Sequence, residues 1–140
     1  KFNINIQVMN INLKDREIRN IIIIFSISIL YWITLVIYRE LTKKDIKILR
    51  ENVIFKCNGW CISHFFHYLI LGYIAPTYWK ELILIGIIFE IIEIPINKIS
   101  KYIDSKLIED SITNSLGIII GIVLFKMFPN KIDLYHILFK

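Results

Sequence analysis

The stretch from Ile21 to Tyr38 runs for eighteen residues without one charged side chain. Wound as an α-helix at about 1.5 Å per residue it is about 27 Å long, close to the hydrocarbon thickness of a bilayer. Arg16, Arg19 and Arg39 flank it, where guanidinium groups meet lipid headgroups. Its many isoleucines do not make it a strand. An isolated strand leaves backbone polar groups unpaired in lipid, and the chain has no series of alternating segments to close a barrel. Tyr31 and Trp32 sit in the middle of the run rather than at its ends, so they are expected to face other helices.

Three further apolar runs follow. The first extends from about Gly59 to Ala75 and stops at Pro76, the next from about Leu82 to Ile96 with Pro95 near its end, and the last from about Ile112 to Phe128 before Pro129. Proline after an apolar run is a helix terminator. Trp60, Tyr78 and Trp79 mark the run ends as an aromatic belt does. The short link from Pro76 to Glu81 predicts an antiparallel hairpin of the second and third runs. The fold class expected is an all-α polytopic transmembrane helical bundle of about four spans. Residues 1–20 form a separate segment, 21–128 the membrane domain and 129–140 a tail, of which Ile132 to Phe139 suits a short interfacial helix. Glu40 to Lys56, Lys-rich with Ile46, Leu49, Val53 and Ile54 at helical spacing, suits an amphipathic surface helix or a solvated connector. The first thirteen residues alternate apolar side chains with Asn and support no assignment.

Composition agrees. The chain is 56% hydrophobic and 21% charged with a mean hydropathy of +0.59, above the balance of soluble domains. The net charge of +5 comes from cations placed between apolar runs, which points to anionic lipid rather than nucleic acid. Lys and Arg divide almost evenly between the two sides, leaving orientation open. The first nineteen residues have no apolar core or small-residue cleavage site of a signal peptide. Isoleucine makes up about a quarter of the chain and Ala75 is its only alanine, as an AT-rich coding sequence produces. Against that background Gly, His, Trp, Pro and embedded acids carry the information.

Those residues fall on stripes. Gly86, Glu90, Glu93 and Asn97 recur at i, i+4, i+7 and i+11, and so do Asp110, Asn114, Gly117 and Gly121. His64, Tyr68 and Gly72 share a face of the second run, with His67 beside it. A charge at mid-bilayer costs roughly 2.5–3.5 kcal/mol, so Glu90 and Glu93 must face protein or water and be protonated, paired or bound to a cation. Turning the stripes inward brings His64, Glu90, Glu93, Asp110 and Asn114 together as a candidate catalytic cluster. Each member taken singly is more often a packing device: an intramembrane His or Asn is helix glue, and G-x-x-x-G is common in membrane helices. Gly117 and Gly121 allow close helix approach, within the bundle or between copies in a homo-oligomer. Cys57, Cys61 and His64 are spaced to share a helix face and hold zinc, but lack a fourth ligand. The first run, without an ionisable residue, is expected to be least tied to the site.

The motif His64-Phe65-x-x-Tyr68-x-x-Leu71-Gly72, then Glu90, then Asp110-x-x-x-Asn114-x-x-Gly117-x-x-x-Gly121 resembles the VanZ-like family of small integral membrane proteins. The likeness covers about Gly59 to Gly121. Its middle block departs, with Glu93 where that family often has Gln. The Phe89-Glu90-x-x-Glu93 step before the Asp…Asn…Gly…Gly helix is similar, more distantly, to base-exchange phosphatidylserine synthases. The VanZ-like family is linked to glycopeptide-antibiotic resistance, and those synthases exchange lipid headgroups with calcium. The resemblance implies binding or processing of a phospholipid or polyprenyl-phosphate headgroup. Glu90, Glu93 and Asp110 would then hold a divalent cation such as calcium, His64 would act as acid and base, and Asn114 would orient. The competing readings are a non-catalytic structural membrane protein and a small ion-coupled transporter using Glu90 and Glu93 as a relay.

Overall fold

The computed structural model describes residues 2–42, 49, 52–54, 57–99, 107–129 and 132–139, with side chains described from residue 14 onward except at 52–54 and 96–99. The described residues are helical almost throughout. Helix α1 spans Phe2–Thr42, α2 Gly59–Ile74, α3 Trp79–Ile99, α4 Leu107–Met127 and α5 Leu134–Phe139. A small antiparallel pair, β1 (Asn52–Ile54) and β2 (Cys57–Asn58), sits just before α2, with Asn52 opposite Asn58 and Ile54 opposite Cys57. Most of the expected amphipathic stretch 40–56 lies outside the described residues; where it is described, it ends α1 and forms β1.

Local chemistry sets the helix ends. Asn58 caps α2, its side-chain oxygen accepting the Cys61 N–H at 2.9 Å. Pro76 stops α2 and opens a 3-10 turn, Pro76–Tyr78. Acids at Glu109 and Asp110 in the first turn of α4, and Lys126 in its last, complement the helix dipole. The third run was expected to reach about Ile96 with Pro95 near its end, and α3 continues through Pro95 to Ile99. Helix α1 passes unbroken through residue 20.

Glycine decides the packing. Gly117 lies where an added Cβ would be 2.6 Å from the Phe65 carbonyl oxygen and 3.0 Å from the Leu69 nitrogen, and one at Gly121 would strike the Leu69 carbonyl oxygen. The pairing of Phe65 and Leu69 with Gly117, then of Leu69 and Tyr73 with Gly121, shows that α2 and α4 run parallel. Gly72 seats on Ile118 from the other side. The G-x-x-x-G surface is therefore filled by α2 within the protomer. Helix α3 is antiparallel to α4, and α1 to α2. Tyr68, Leu71, Leu82 and Ile118 form the buried apolar core, with Ile21, Ile24 and Phe25 of α1 packed against it.

Polar ties close one end of the bundle. Thr77 donates to buried Glu17 through its backbone N–H and its hydroxyl, both at 3.1 Å. Asn20 donates to the Ile132 carbonyl and accepts from the Leu134 N–H, each at 2.9 Å, so the expected tail is docked on α1. Arg19 donates to Asp133 at 2.8 Å. Slight desolvation pushes the Asp133 carboxyl up, but the hydrogen bond and charge of Arg19, with His136, more than offset it and hold the carboxyl below its ordinary value. A carboxyl lowered by folding stabilises the fold above its unfolded value and ceases to as pH falls through the folded one. The amides of α5 should thus lose hydrogen-exchange protection on acidification before those of α2 and α4. Asp133→Asn should show the same weakened docking already at neutral pH.

The described residues include two helices long and apolar enough to cross a membrane, 14–42 and 107–127. Helix α2, with 16 residues, is about 24 Å long, and α3 carries Glu81, Glu90 and Glu93 among its apolar residues.

Candidate functional site

The three stripes do turn inward. His64, Tyr68 and Gly72 on α2, Gly86, Glu90 and Glu93 on α3, and Asp110, Asn114, Gly117 and Gly121 on α4 are all buried. Glu90, Glu93, Asp110 and Asn114 are each at most 2% exposed, so their polar atoms depend on internal partners. Asn114 Nδ2 donates to Glu90 Oε1 at 2.8 Å, joining α4 to α3. His64 Nδ1 approaches the same oxygen to 3.2 Å, joining α2. This second approach is a close polar contact without hydrogen-bond alignment. Glu93 and Asp110 lie within electrostatic reach of His64. Glu90 Oε2, both Glu93 oxygens and Asn114 Oδ1 are buried acceptors with no donor among the described residues.

The arrangement differs from the one expected for a cation. Among the described residues no three His, Cys, Asp or Glu side chains converge to hold a metal ion. Shared helix faces do not make Glu90, Glu93 and Asp110 a chelate, because one Glu90 oxygen is turned to Asn114 and His64 instead. No step is therefore routed through calcium. Zinc at Cys57, Cys61 and His64 is excluded differently: the two sulfurs are joined in a disulfide and offer no thiolate. What the cluster can do is hold and move a proton, with His64 oriented by Glu90 and Glu90 by Asn114.

A groove of about 190 Å³ lies between α1, α2 and α3, and His64 is on its wall. Phe25, Trp32, Trp60, Tyr68 and Phe89 give it an aromatic lining. Ser28 and His67 add a polar pair, Ser28 Oγ lying 3.0 Å from His67 Nδ1. Helix α1 was expected to be least tied to the site, yet it supplies Phe25, Ser28 and Trp32. The available signal was Trp32 in mid-run, out of the interfacial place of a tryptophan.

Fold and site together define a mostly helical chain in which a buried His–Glu–Asn network on three helices adjoins an aromatic groove. No protein-family model, curated protein or solved structure matches the chain.

Proposed function

We propose that this chain is a four-span, VanZ-like integral membrane protein whose His64–Glu90–Asn114 network, with Glu93 and Asp110 beside it, binds or processes the headgroup of a phospholipid or polyprenyl phosphate. The membrane reading is supported by inverted polarity. Acids and amides are inside, while Ile22, Leu30 and Ile37 on α1, Leu84, Ile88 and Ile91 on α3, and Ile112, Leu116 and Ile119 on α4 face outward. Helices α2 and α3, short or acid-bearing on their own, then cross beside α1 and α4, as the antiparallel order allows.

The observation that carries the headgroup reading is that His64 belongs both to the buried network and to the groove wall. A histidine held by a carboxylate can take a proton from a hydroxyl and return it to a leaving oxygen. Headgroup turnover in proteoliposomes tests this. Glu90→Gln keeps an acceptor for Asn114 but removes the carboxylate beside His64, and should reduce turnover about a hundredfold or more with the fold intact. Equal turnover in the two proteins would overturn the role of Glu90. No turnover by wild type with phospholipid or polyprenyl phosphate would overturn the processing half of the reading.

One observation favours a second reading. Among the described residues neither buried oxygen of Glu93 has a donor, as in a residue that carries a proton across the membrane. Proton flux lost in Glu93→Gln would support an ion-coupled transporter instead.

A further inference from the structure

Two serines line the groove, and they are held differently. Ser63 Oγ donates to the Trp60 carbonyl at 2.7 Å. Thr34, Thr42, Thr113 and Ser115 likewise donate to carbonyls four residues back in their own helices. That is the ordinary outlet of a hydroxyl inside a helix, and it occupies the proton. Ser28 departs from it. Its Oγ is paired with His67 Nδ1 at 3.0 Å, across from α1 to α2. A hydroxyl within about 2.6–3.2 Å of an imidazole nitrogen is the arrangement of a nucleophile and its base.

The base is held in place. Phe25, one turn from Ser28 on α1, makes a T-shaped contact with the His67 ring, centroids 5.5 Å apart, and Tyr68 makes another at 5.1 Å. The two histidines of the groove wall then differ in what they face. His64 approaches the Glu90 carboxylate to 3.2 Å, and His67 meets a hydroxyl. A carboxylate partner suits an acid that carries its proton, and a hydroxyl partner suits a base that receives one. His64 and His67 are one turn apart on α2, with Cβ atoms about 5–6 Å apart by helix geometry, and both line the groove. Nucleophile, base and acid thus share one space. At about 190 Å³ it is smaller than the roughly 300–1,000 Å³ of pockets that enclose whole ligands. It takes the segment around a reacting bond while the rest of a lipid stays outside.

We propose that Ser28 is a nucleophile toward the phosphorus of a lipid phosphate ester, with His67 as its base and His64 as the acid at the leaving oxygen. The proposal rests on the headgroup reading above and names its covalent step. A bond forms from Ser28 Oγ to phosphorus, and the bond from phosphorus to the leaving alcohol oxygen breaks. The Oγ proton goes to His67 Nδ1, and the His64 proton goes to the leaving oxygen. Water or a second alcohol then attacks the phosphate ester on Ser28 and gives its proton to His64. The phosphorus–Oγ bond breaks, and His67 returns a proton to Ser28 Oγ. Both histidines end as they began.

The test treats the detergent-purified chain with a dodecyl fluorophosphonate, followed by intact mass and peptide mapping. Its phosphorus takes the serine oxygen and fluoride leaves, so labelling needs the nucleophile and its base but no lipid turnover. Wild type should gain one adduct, at Ser28 and not at Ser63. His67→Gln, with helix content unchanged, should label about a hundredfold or more slowly. A hydrogen bond that only packs α1 on α2 gives no such selectivity. No adduct at Ser28, or labelling of Ser63 as fast, would overturn the proposal without any variant. So would an equal rate in His67→Gln. In proteoliposomes Ser28→Ala should lose turnover about as far as Glu90→Gln does, and full turnover in Ser28→Ala would also overturn the proposal. If wild type turns over neither phospholipid nor polyprenyl phosphate, the headgroup reading fails while selective labelling still identifies Ser28 and His67 as nucleophile and base. Turnover without labelling leaves the headgroup reading standing and removes Ser28 from it.

Discussion

Gly121→Ala is expected to force α2 and α4 apart. The added Cβ strikes the Leu69 carbonyl oxygen and comes within 2.7 Å of the Tyr73 nitrogen and 2.9 Å of the Gly72 carbonyl carbon. All three are backbone atoms of a helix, so no rotamer change relieves the contact. Overpacking of a well-filled interior costs about 1–3 kcal/mol, and a rigid neighbour places this change at or above the upper end. The loss should appear as a lowered midpoint in thermal or denaturant unfolding followed by helix content in detergent. Gly86→Ala is the control. Its Cβ would meet only the ring of Tyr68, at 3.2 Å, which can shift by a few tenths of an ångström. A Gly121→Ala protein as stable as the Gly86→Ala protein would contradict the parallel α2–α4 contact.

Asn114→Leu should rival it in effect. Asn114 provides the one well-aligned hydrogen bond to Glu90 among the described residues, and Glu90 is fully buried. Removing that donor strands a buried oxygen of Glu90, at a cost of about 1–3 kcal/mol. Glu90→Leu alone leaves the Asn114 amide without its acceptor and should cost a similar amount. The pair Glu90→Leu/Asn114→Leu removes both and should recover most of the stability. Denaturant unfolding of the two single variants and the double completes the cycle. Additive losses would mean that the 2.8 Å contact does not couple α3 to α4. A stable double variant without turnover would separate the network's functional role from its structural one.

The inward faces of α2, α3 and α4 were legible in the sequence because lipid makes polarity informative. A Glu, Asp or Asn at helical spacing within an apolar run can point in only one direction at acceptable cost, so Glu90, Asp110 and Asn114 identify the interior. Spacing fixes a face and not a side-chain direction. That is why the three carboxylates were expected to share a cation, whereas Glu90 turns to Asn114 and His64. The partner of Gly117 and Gly121 was hidden for a related reason: small residues permit a close approach without saying which helix makes it or in which sense. The aromatic groove was harder still to see. Ser28 and Trp32 lie in a run with no ionisable residue, and they matter only because α1 packs against His67. Pro95 sits inside α3 because its missing N–H costs one hydrogen bond, which the helix tolerates near its end.

The Cys57–Cys61 bridge reaches beyond the cap of α2. Disulfides form and persist on the oxidising side of a membrane and are kept reduced on the other. In a membrane-embedded chain the bridge fixes which way the bundle faces, where the even spread of Lys and Arg could not. Trp60 and the start of α4 lie at the bridged end of the bundle, and Glu17, Thr77 and Asp133 at the opposite end. His64 is one helical turn from Cys61, so the groove and the buried acids lie toward the bridged end.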